Sequence, residues 1–154
     1  MTSCLRETVH SDLAEFFEHQ RDPVANEMAA FPARDREAFI EHWTTKILAN
    51  GQVIKRTVFV NDEVAGNVLC FEQSGRQLIG YWLGRRSWGR GLASRAVAEI
   101  VSLIPARPLH AYVAKANVAS IRVLEKCGFK IVEKFDAEAT TNDDVDEFLF
   151  VLSD

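Results

Sequence analysis

The sequence has few cysteines, few histidines and no long apolar run, and each shortage excludes a class of protein. Its three cysteines, Cys4, Cys70 and Cys127, are widely spaced and form no CxxC pair, so neither a disulfide framework nor a zinc site is expected. The four histidines show no HExxH or related ligand spacing, and we expect no bound metal. No apolar stretch approaches the length of a membrane span.

The chain also lacks an excess of positive charge and an apolar N-terminal segment. Its formal net charge is -4, so no global field attracts nucleic acid. The N-terminal stretch MTSCLRETVHSD carries charges where a signal peptide needs apolar residues. Together with the unpaired cysteines, these features predict a cytoplasmic protein that binds neither nucleic acid nor membrane.

What the chain has is the composition of one ordinary globular domain. Its 154 residues are 47% hydrophobic and 26% charged, which suffices to bury a core in a single unit. No repeat, low-complexity segment or linker interrupts the sequence, so we expect one domain over residues 1–154.

Apolar periodicity and turn signals predict a mixed α/β order of elements. Strands at 53–60, 63–71 and 77–83 follow one another through turns too short for crossovers, and they should form an antiparallel meander. The other expected strands lie at 5–9, 109–113, 129–135 and 146–152. The expected helices are one capped by Ser11 or Asp12 and ending near His19, and three at 35–49, 89–103 and 117–127.

The segment GYWLGRRSWGRGLAS, residues 80–94, carries the clearest signal of a site, because it lies between a predicted strand and a predicted helix. Glycines let a backbone approach a ligand closely, and a helix start presents unpaired N–H groups at the positive end of its dipole. Arginines add positive charge, and no acidic side chain is expected to oppose it. The chemistry suits a diphosphate. The residues concerned are Gly84, Arg85, Arg86, Gly89, Arg90 and Gly91.

Three phosphate-binding patterns compete for this segment. A Walker pattern fails, because Arg90 and Gly91 stand where lysine and Ser/Thr are needed. A dinucleotide GxGxxG pattern is nearly met by Gly89, Gly91 and Ser94, but no ribose-binding acid follows about 20 residues later. The pattern [Q/R]xxGx[G/A] is met in full by Arg86, Gly89 and Gly91, with a strand before it and a helix after it.

These motifs resemble the GNAT superfamily of acetyltransferases, in particular the branch that includes ribosomal-protein N-terminal acetyltransferases. The phrase YWLGRRSWGRGLASRAV is similar to that branch's cofactor motif, and NVASIRVLEKCGFKIVE is similar to its second motif. The resemblance implies a mixed α/β fold whose central, mostly antiparallel sheet is splayed between the fourth and fifth strands and flanked by helices. It also implies acetyl-CoA as the acetyl donor, without a metal.

Carried over position by position, the resemblance implies that backbone amides of residues 88–92 bind the pyrophosphate and that pantetheine lies between the splayed strands. A backbone N–H near Trp82 or Leu83 would stabilise the oxyanion. The resemblance also implies that Asn117 hydrogen-bonds the pantetheine arm and that Ser120 lies near the sulfur. Asn117 is explained equally well as the N-cap of the helix that follows it. The full set of expected cofactor contacts is Trp82, Leu83, Arg85, Arg86, Trp88, Gly89, Arg90, Gly91, Leu92, Ala93, Asn117 and Ser120.

The catalytic residues follow less directly from the sequence. Many family members have a tyrosine, the general acid for the leaving thiolate, where this chain has Leu124, and the resemblance points to Ser120 as its replacement. The attacking amine must lose a proton, so a carboxylate is a candidate base. The candidates are Glu72, at the end of a strand, and Glu138, near where the branch has a proposed base; a solvated surface acid is the alternative interpretation of each.

The expected function is an acetyl-CoA-dependent N-acetyltransferase. Its acceptor would be a primary amine of a small molecule or a peptide N-terminus, attacking directly in a ternary complex, and a homodimer is a candidate assembly. Phe31, Trp43 and Trp82 are expected to line the acceptor site. Two other functions stay open: a non-catalytic acyl-CoA sensor of the same fold, which the missing tyrosine favours, and a nucleotide-binding domain, which the incomplete Walker pattern disfavours.

Overall fold

The computed structural model describes residues 3–132 and 147–154. Within them, the strands are β1 (Leu5–Glu7), β2 (Ile54–Val60), β3 (Glu63–Gln73), β4 (Arg76–Leu83), β5 (Leu109–Ala114), β6 (Lys130–Ile131) and β7 (Glu147–Leu152). They form one sheet in the order β1-β2-β3-β4-β5-β7-β6. Only β4 and β5 pair in parallel; the other neighbours are antiparallel. The predicted mixed, mostly antiparallel architecture is confirmed.

The helices of the described residues all occupy connections between these strands. They are α1 (Leu13–Gln20), α2 (Pro23–Ala29), α3 (Arg36–His42), α4 (Leu92–Leu103) and α5 (Val118–Lys126). A π-helical segment, Trp43–Leu48, continues α3, and 3-10 turns lie at His10–Asp12 and Arg85–Ser87.

The meander formed by β2, β3 and β4 confirms the predicted turns. Asn61 and Asp62, with φ of 52° and 65°, join β2 to β3, and Ser74 and Gly75, with φ of 53° and 79°, join β3 to β4. Consecutive residues with positive φ give a turn whose twist matches that of the flanking strands. The connections are therefore as short as the sequence indicated.

The helices before the meander differ from the prediction. The single helix expected at 35–49 is divided into α3 and the π-helical segment. The sequence pattern did not predict α2, although its start has two helix signals: Asp22 accepts a hydrogen bond from the Val24 N–H at 3.0 Å, and Pro23 is the first helical residue.

Helices cover both faces of the sheet and divide the core in two. On one face, α4 and α5 pack around a cluster that includes Val68, Ile79, Val97, Ile100 and Leu124. On the other face, α1, α3 and the π-helical segment bring together Leu13, Phe16, Phe39, Trp43 and Ile47. Since side chains alternate along a strand, neighbouring residues of β4 point to different layers.

The splay between the fourth and fifth strands is present. Gln77 pairs with Leu109 and Leu78 with His110, and no later pair joins β4 to β5 within these two strands. On its other edge, β5 pairs with β7 along its whole length. Beyond the two pairs, the facing edges of β4 and β5 therefore leave backbone hydrogen-bonding groups available to a ligand.

Candidate active site

The loop between β4 and α4 forms a backbone cradle at the open end of the splay. Gly89 and Gly91 have φ of 77° and 72°, and Gly91 is the N-cap residue of α4 without a side-chain cap. A Cβ built on either glycine would meet no atom within 4 Å, so open space lies in front of this backbone. Because the first N–H groups of a helix lack partners within it, the cradle fits an anion.

The arginines of the loop are not all turned toward that space. Arg85 Nε lies 2.9 Å from Asp22 Oδ2, and Arg86 Nη2 lies 3.2 Å from Glu63 Oε2. The expectation that no acidic side chain opposes the loop is therefore wrong, because Asp22 at the N-cap of α2 and Glu63 of β3 form ion pairs with its arginines. The side chains of Arg86 and Glu63 are both mostly exposed, and an exposed pair is worth about 0–1 kcal/mol, so little free energy opposes the turning of Arg86 to a phosphate. The Asp22 side chain is only 14% exposed, so solvent screens its pair with Arg85 less.

A second set of contacts fixes the ends of the loop. Trp88 Nε1 donates to the Leu83 carbonyl at 3.2 Å, and Trp82 Nε1 donates to the His19 carbonyl at 3.2 Å. The His19 imidazole packs so closely on Gly84 that a Cβ there would lie 2.6 Å from the ring. The tryptophan side chains are thus structural anchors, and glycine at 84 is required by the close approach of α1.

The remaining loop residues have the positions that the prediction needs for backbone contacts. Leu92 is buried and Ala93 packs against the α4 and α5 core cluster, so their N–H groups, and not their side chains, are on the side of the cradle. Arg90 and Arg86 line a polar cavity of about 270 Å³ beside the start of β3. The roles of these residues in binding a cofactor stay predictions.

A larger cavity of about 670 Å³ passes through the gap between β4 and β5. Residues 80–82 of β4 and 112–114 of β5 line it, together with Asn117 and Ser120. Phe31, Trp43 and Trp82, the aromatics expected at the acceptor site, are among the residues that line it. The rings of Phe31 and Trp82 pack edge to face with 5.8 Å between centroids. The cavity thus connects the two faces of the sheet.

Asn117 and Ser120 lie where β5 passes into α5. Asn117 Oδ1 accepts a hydrogen bond from the Ser120 N–H at 3.2 Å, so Asn117 is the N-cap of α5. Its amide nitrogen still has two hydrogens to donate. Ser120 Oγ is hydrogen bonded to the Tyr81 hydroxyl, whose oxygen also lies 3.4 Å from the Ser120 carbonyl oxygen. Leu124, where many relatives have a tyrosine, is fully buried.

Tyr81 is a site residue that the sequence analysis missed. It lines the large cavity, and burial raises the pKa of its hydroxyl to about 12 although the Ser120 hydrogen bond acts in the opposite direction. One signal was present in the sequence. Tyr81 lies two residues from both Ile79 and Leu83, so it shares their face of the strand and points away from the layer that Trp82 faces. Its contact with Ser120 depends on the order of the strands in the sheet and could not be predicted from the sequence pattern.

The candidate bases have different positions relative to the cavity. Glu72 lines it as an exposed residue near the end of β3, opposite Gln77 and hence beside the closed end of the splay. Glu147, at the start of β7, also lines it and was not predicted. Glu138 lies outside the described residues. The cationic side chains of Arg34 and Lys46 border the same space, so its charge is mixed.

The described residues contain neither a cluster of metal ligands nor a membrane-spanning helix. Across residues 3–132 and 147–154, no group of three or more His, Cys, Asp or Glu side chains could hold a metal ion. In the same residues, no helix has both the length and the apolar character that crossing a bilayer requires.

Comparison with known proteins identifies the family. Residues 3–130 match the acetyltransferase (GNAT) domain. The chain belongs to the GNAT acetyltransferase family. A sequence relative, the uncharacterized N-acetyltransferase p20 of Bacillus licheniformis, is 33% identical over 89 residues, which are 52% of this chain and 50% of p20. The chain therefore aligns with about half the length of the curated relative that it matches.

Solved structures show the same fold. The aminoglycoside acetyltransferase AAC(6')-Ib in complex with coenzyme A superposes with a TM-score of 0.80 at 20% identity, over 99% of this chain and 95% of that one. RimL, a ribosomal L7/L12 α-N-protein acetyltransferase in complex with coenzyme A, gives 0.77 at 18% identity, over 97% and 92%. A GNAT acetyltransferase from Bacillus anthracis gives 0.78 at 16% identity, over 97% and 93%. The GNAT prediction is confirmed.

Proposed function

We propose that this GNAT protein moves an acetyl group from acetyl-CoA to a primary amine of a small molecule or a peptide N-terminus, by direct attack in a ternary complex. The observation that carries the proposal is the cavity through the gap between β4 and β5. A donor entering from the α4 side and an acceptor entering from the α1 and α3 side would meet there. Relatives of the same fold solved with coenzyme A, in one case together with ribostamycin, support it.

The donor would be held mainly by backbone. N–H groups of residues 88–92 would bind the pyrophosphate, since open space lies in front of Gly89 and Gly91. Arg85 and Arg86 would add charge by releasing Asp22 and Glu63, and Arg90 would add a third positive charge. The open edge of β4 at Trp82 and Leu83 would pair with the pantetheine arm, and the Asn117 amide would donate to it.

The reaction requires the chain to orient the reactants and to manage charge and protons. Acetyl-CoA supplies an activated thioester carbonyl. A backbone N–H near Trp82 or Leu83 would stabilise the oxyanion, and Glu72, beside the closed end of the same cavity, would accept the amine proton through water. Glu138 is the second candidate base. The Ser120 hydroxyl would donate to the departing sulfur, and holding both reactants in one cavity would supply much of the rate.

An amine panel with coenzyme A release as the readout tests this function. Because Glu72 and Lys46 border the same cavity, the panel should include polyamines, amino acids, peptides and aminoglycosides, so that amines with and without a carboxylate are compared. Initial rates at varied concentrations of both substrates should give intersecting reciprocal plots. Parallel plots would contradict direct attack.

The alternative is an acyl-CoA sensor of the same fold, favoured by the buried leucine at 124. A sensor would bind acetyl-CoA without releasing coenzyme A for any amine of the panel.

We further propose that residues 1–154 act as a single domain in the cytoplasm. A homodimer is the candidate assembly, which sedimentation of the purified chain would test.

A further inference from the structure

The Tyr81 and Ser120 hydroxyls form a pair across the gap between β4 and β5. Tyr81 belongs to β4, whereas Ser120 belongs to α5, which follows β5. Both residues line the large cavity, and their hydroxyl oxygens are hydrogen bonded to each other. The pair therefore lies beside the space in which the proposed function has the donor and acceptor meet.

Leu124 cannot supply a proton donor to this space. Its side chain is 1% exposed and belongs to the core cluster under α4 and α5. The only hydroxyl that α5 directs at the cavity within the described residues is that of Ser120. A serine hydroxyl has one hydrogen, and within a helix it often donates that hydrogen to the backbone of the preceding turn. A serine alone is thus a poorly directed donor.

We propose that Tyr81 is a positioning residue for acetyl transfer: its hydroxyl donates to Ser120 Oγ and so leaves the Ser120 hydrogen directed at the sulfur of coenzyme A. This inference rests on the proposed function. Either hydroxyl can donate in the bond between them, and we assign the donation to Tyr81 because a phenol is far more acidic than an aliphatic alcohol and is therefore the stronger donor. Burial holds the pKa of Tyr81 near 12, so the phenol keeps its hydrogen at neutral pH.

The step has a simple balance of protons and electrons. As the C–S bond breaks, its electron pair stays on sulfur, and Ser120 Oγ–H donates a hydrogen bond to the developing thiolate. The proton of the attacking amine leaves to Glu72 or water, and solvent supplies the final proton of the thiol. Tyr81 remains protonated throughout, so no charged phenolate forms in the buried site.

The pKa of the thiol of bound coenzyme A tests the inference without any acceptor. A directed hydroxyl stabilises the thiolate, so Tyr81→Phe should raise the pKa of the bound thiol by about one, the equivalent of one lost hydrogen bond. The thiolate would be followed by ultraviolet difference absorbance, with S-methyl-coenzyme A complexes as blanks to remove the tyrosine signal. Ser102→Ala, which removes an exposed serine hydroxyl at the end of α4, is the matched control.

A double-mutant cycle separates positioning from a direct role. Tyr81→Phe should have no further effect in a Ser120→Ala background. In a Ser120→Thr background, which keeps a hydroxyl, Tyr81→Phe should have most of the effect that it has in the parent protein. With an active amine, Tyr81→Phe should lower kcat about tenfold and leave the KM for acetyl-CoA unchanged. Thermal melting would verify that each variant is folded.

The possible outcomes are distinct. An unchanged thiol pKa in folded Tyr81→Phe protein would overturn the inference and leave the proposed function intact if the parent protein releases coenzyme A. An undiminished Tyr81→Phe effect in the Ser120→Ala background would also overturn it, because the tyrosine would then act without the serine. Failure of the parent protein to bind coenzyme A would instead overturn the proposed function.

Discussion

Leu78 and His110 form the last backbone pair between β4 and β5, although β4 continues to Leu83 and β5 to Ala114. Each strand is held on its outer edge, β4 by β3 and β5 by β7. Trp82 also ties β4 to α1 through the His19 carbonyl. The gap is therefore part of the fold, and a ligand does not have to open it.

Replacing Gly91 by valine should abolish most acetyl-CoA binding without unfolding the protein. The new side chain would occupy the open space in front of the cradle, and the positive φ of 72° would add strain of about 1–2 kcal/mol. Gly75→Val is the matched control, since Gly75 has φ of 79° and an equally open Cβ position in the turn between β3 and β4. Calorimetry should show loss of affinity of at least about tenfold for Gly91→Val alone. Equal affinities of the two variants would remove the cradle from the site.

Replacing Glu63 by glutamine should strengthen acetyl-CoA binding about two- to threefold at low salt. The carboxylate 3.2 Å from Arg86 competes with a phosphate for that guanidinium. Glu7→Gln removes the same charge from the Arg56 pair on β1 and β2 and serves as the control. Dissociation constants measured at low and high salt would check this. A gain of the same size in both variants would assign the effect to net charge instead.

Replacing Asp12 by alanine should lower the free energy of unfolding by about 3 kcal/mol. The buried carboxylate accepts from Arg6 at 2.7 and 2.8 Å, from Thr57 at 2.7 Å and from the Val9 N–H at 3.0 Å. Burial alone would raise the pKa of Asp12, but these hydrogen bonds outweigh it and lower the pKa. Urea denaturation would measure the loss. Glu18→Ala, which breaks an exposed pair with Arg21, should change stability by less than about 0.5 kcal/mol.

Stability should fall as the pH drops below about 6.5, in part because of His19. Burial lowers the pKa of His19 below its ordinary value of 6.5, as it does for His42 and His110. The unfolded chain then binds more protons than the folded one, so stability is complete above pH 6.5 and decreases below it. His19→Gln should flatten the dependence of Tm on pH relative to the parent protein. A steeper dependence in His19→Gln protein would contradict this.

Local signals in the sequence sufficed for most of the fold. The pairs Asn61-Asp62 and Ser74-Gly75 indicated the turns of the meander, and the run of elements from β4 through α5 followed from periodicity and from Asn117 at a helix start. The helix expected from residue 89 begins instead at Leu92. These signals are properties of a few neighbouring residues. They do not depend on which elements lie side by side in space.

The features that were missed depend on tertiary contacts. Asp12 precedes α1, where a capping role was expected, but its carboxylate turns instead to Arg6, Thr57 and the Val9 N–H. The carboxylate that pairs with Arg86 belongs to Glu63, at the start of β3. The same holds for Tyr81 and Ser120, which meet only because α5 follows β5 beside β4. The strand expected at 129–135 is described only as Lys130–Ile131, since residues 133–146 lie outside the described part.

Calorimetric titration with acetyl-CoA and, separately, with ATP and magnesium tests the central claim most directly. The account predicts a saturable site for acetyl-CoA, measurable binding of 3′-dephospho-coenzyme A because the pyrophosphate cradle is the main anchor, and no binding of ATP with magnesium. Binding of ATP with magnesium in the absence of any binding of acetyl-CoA would contradict the account.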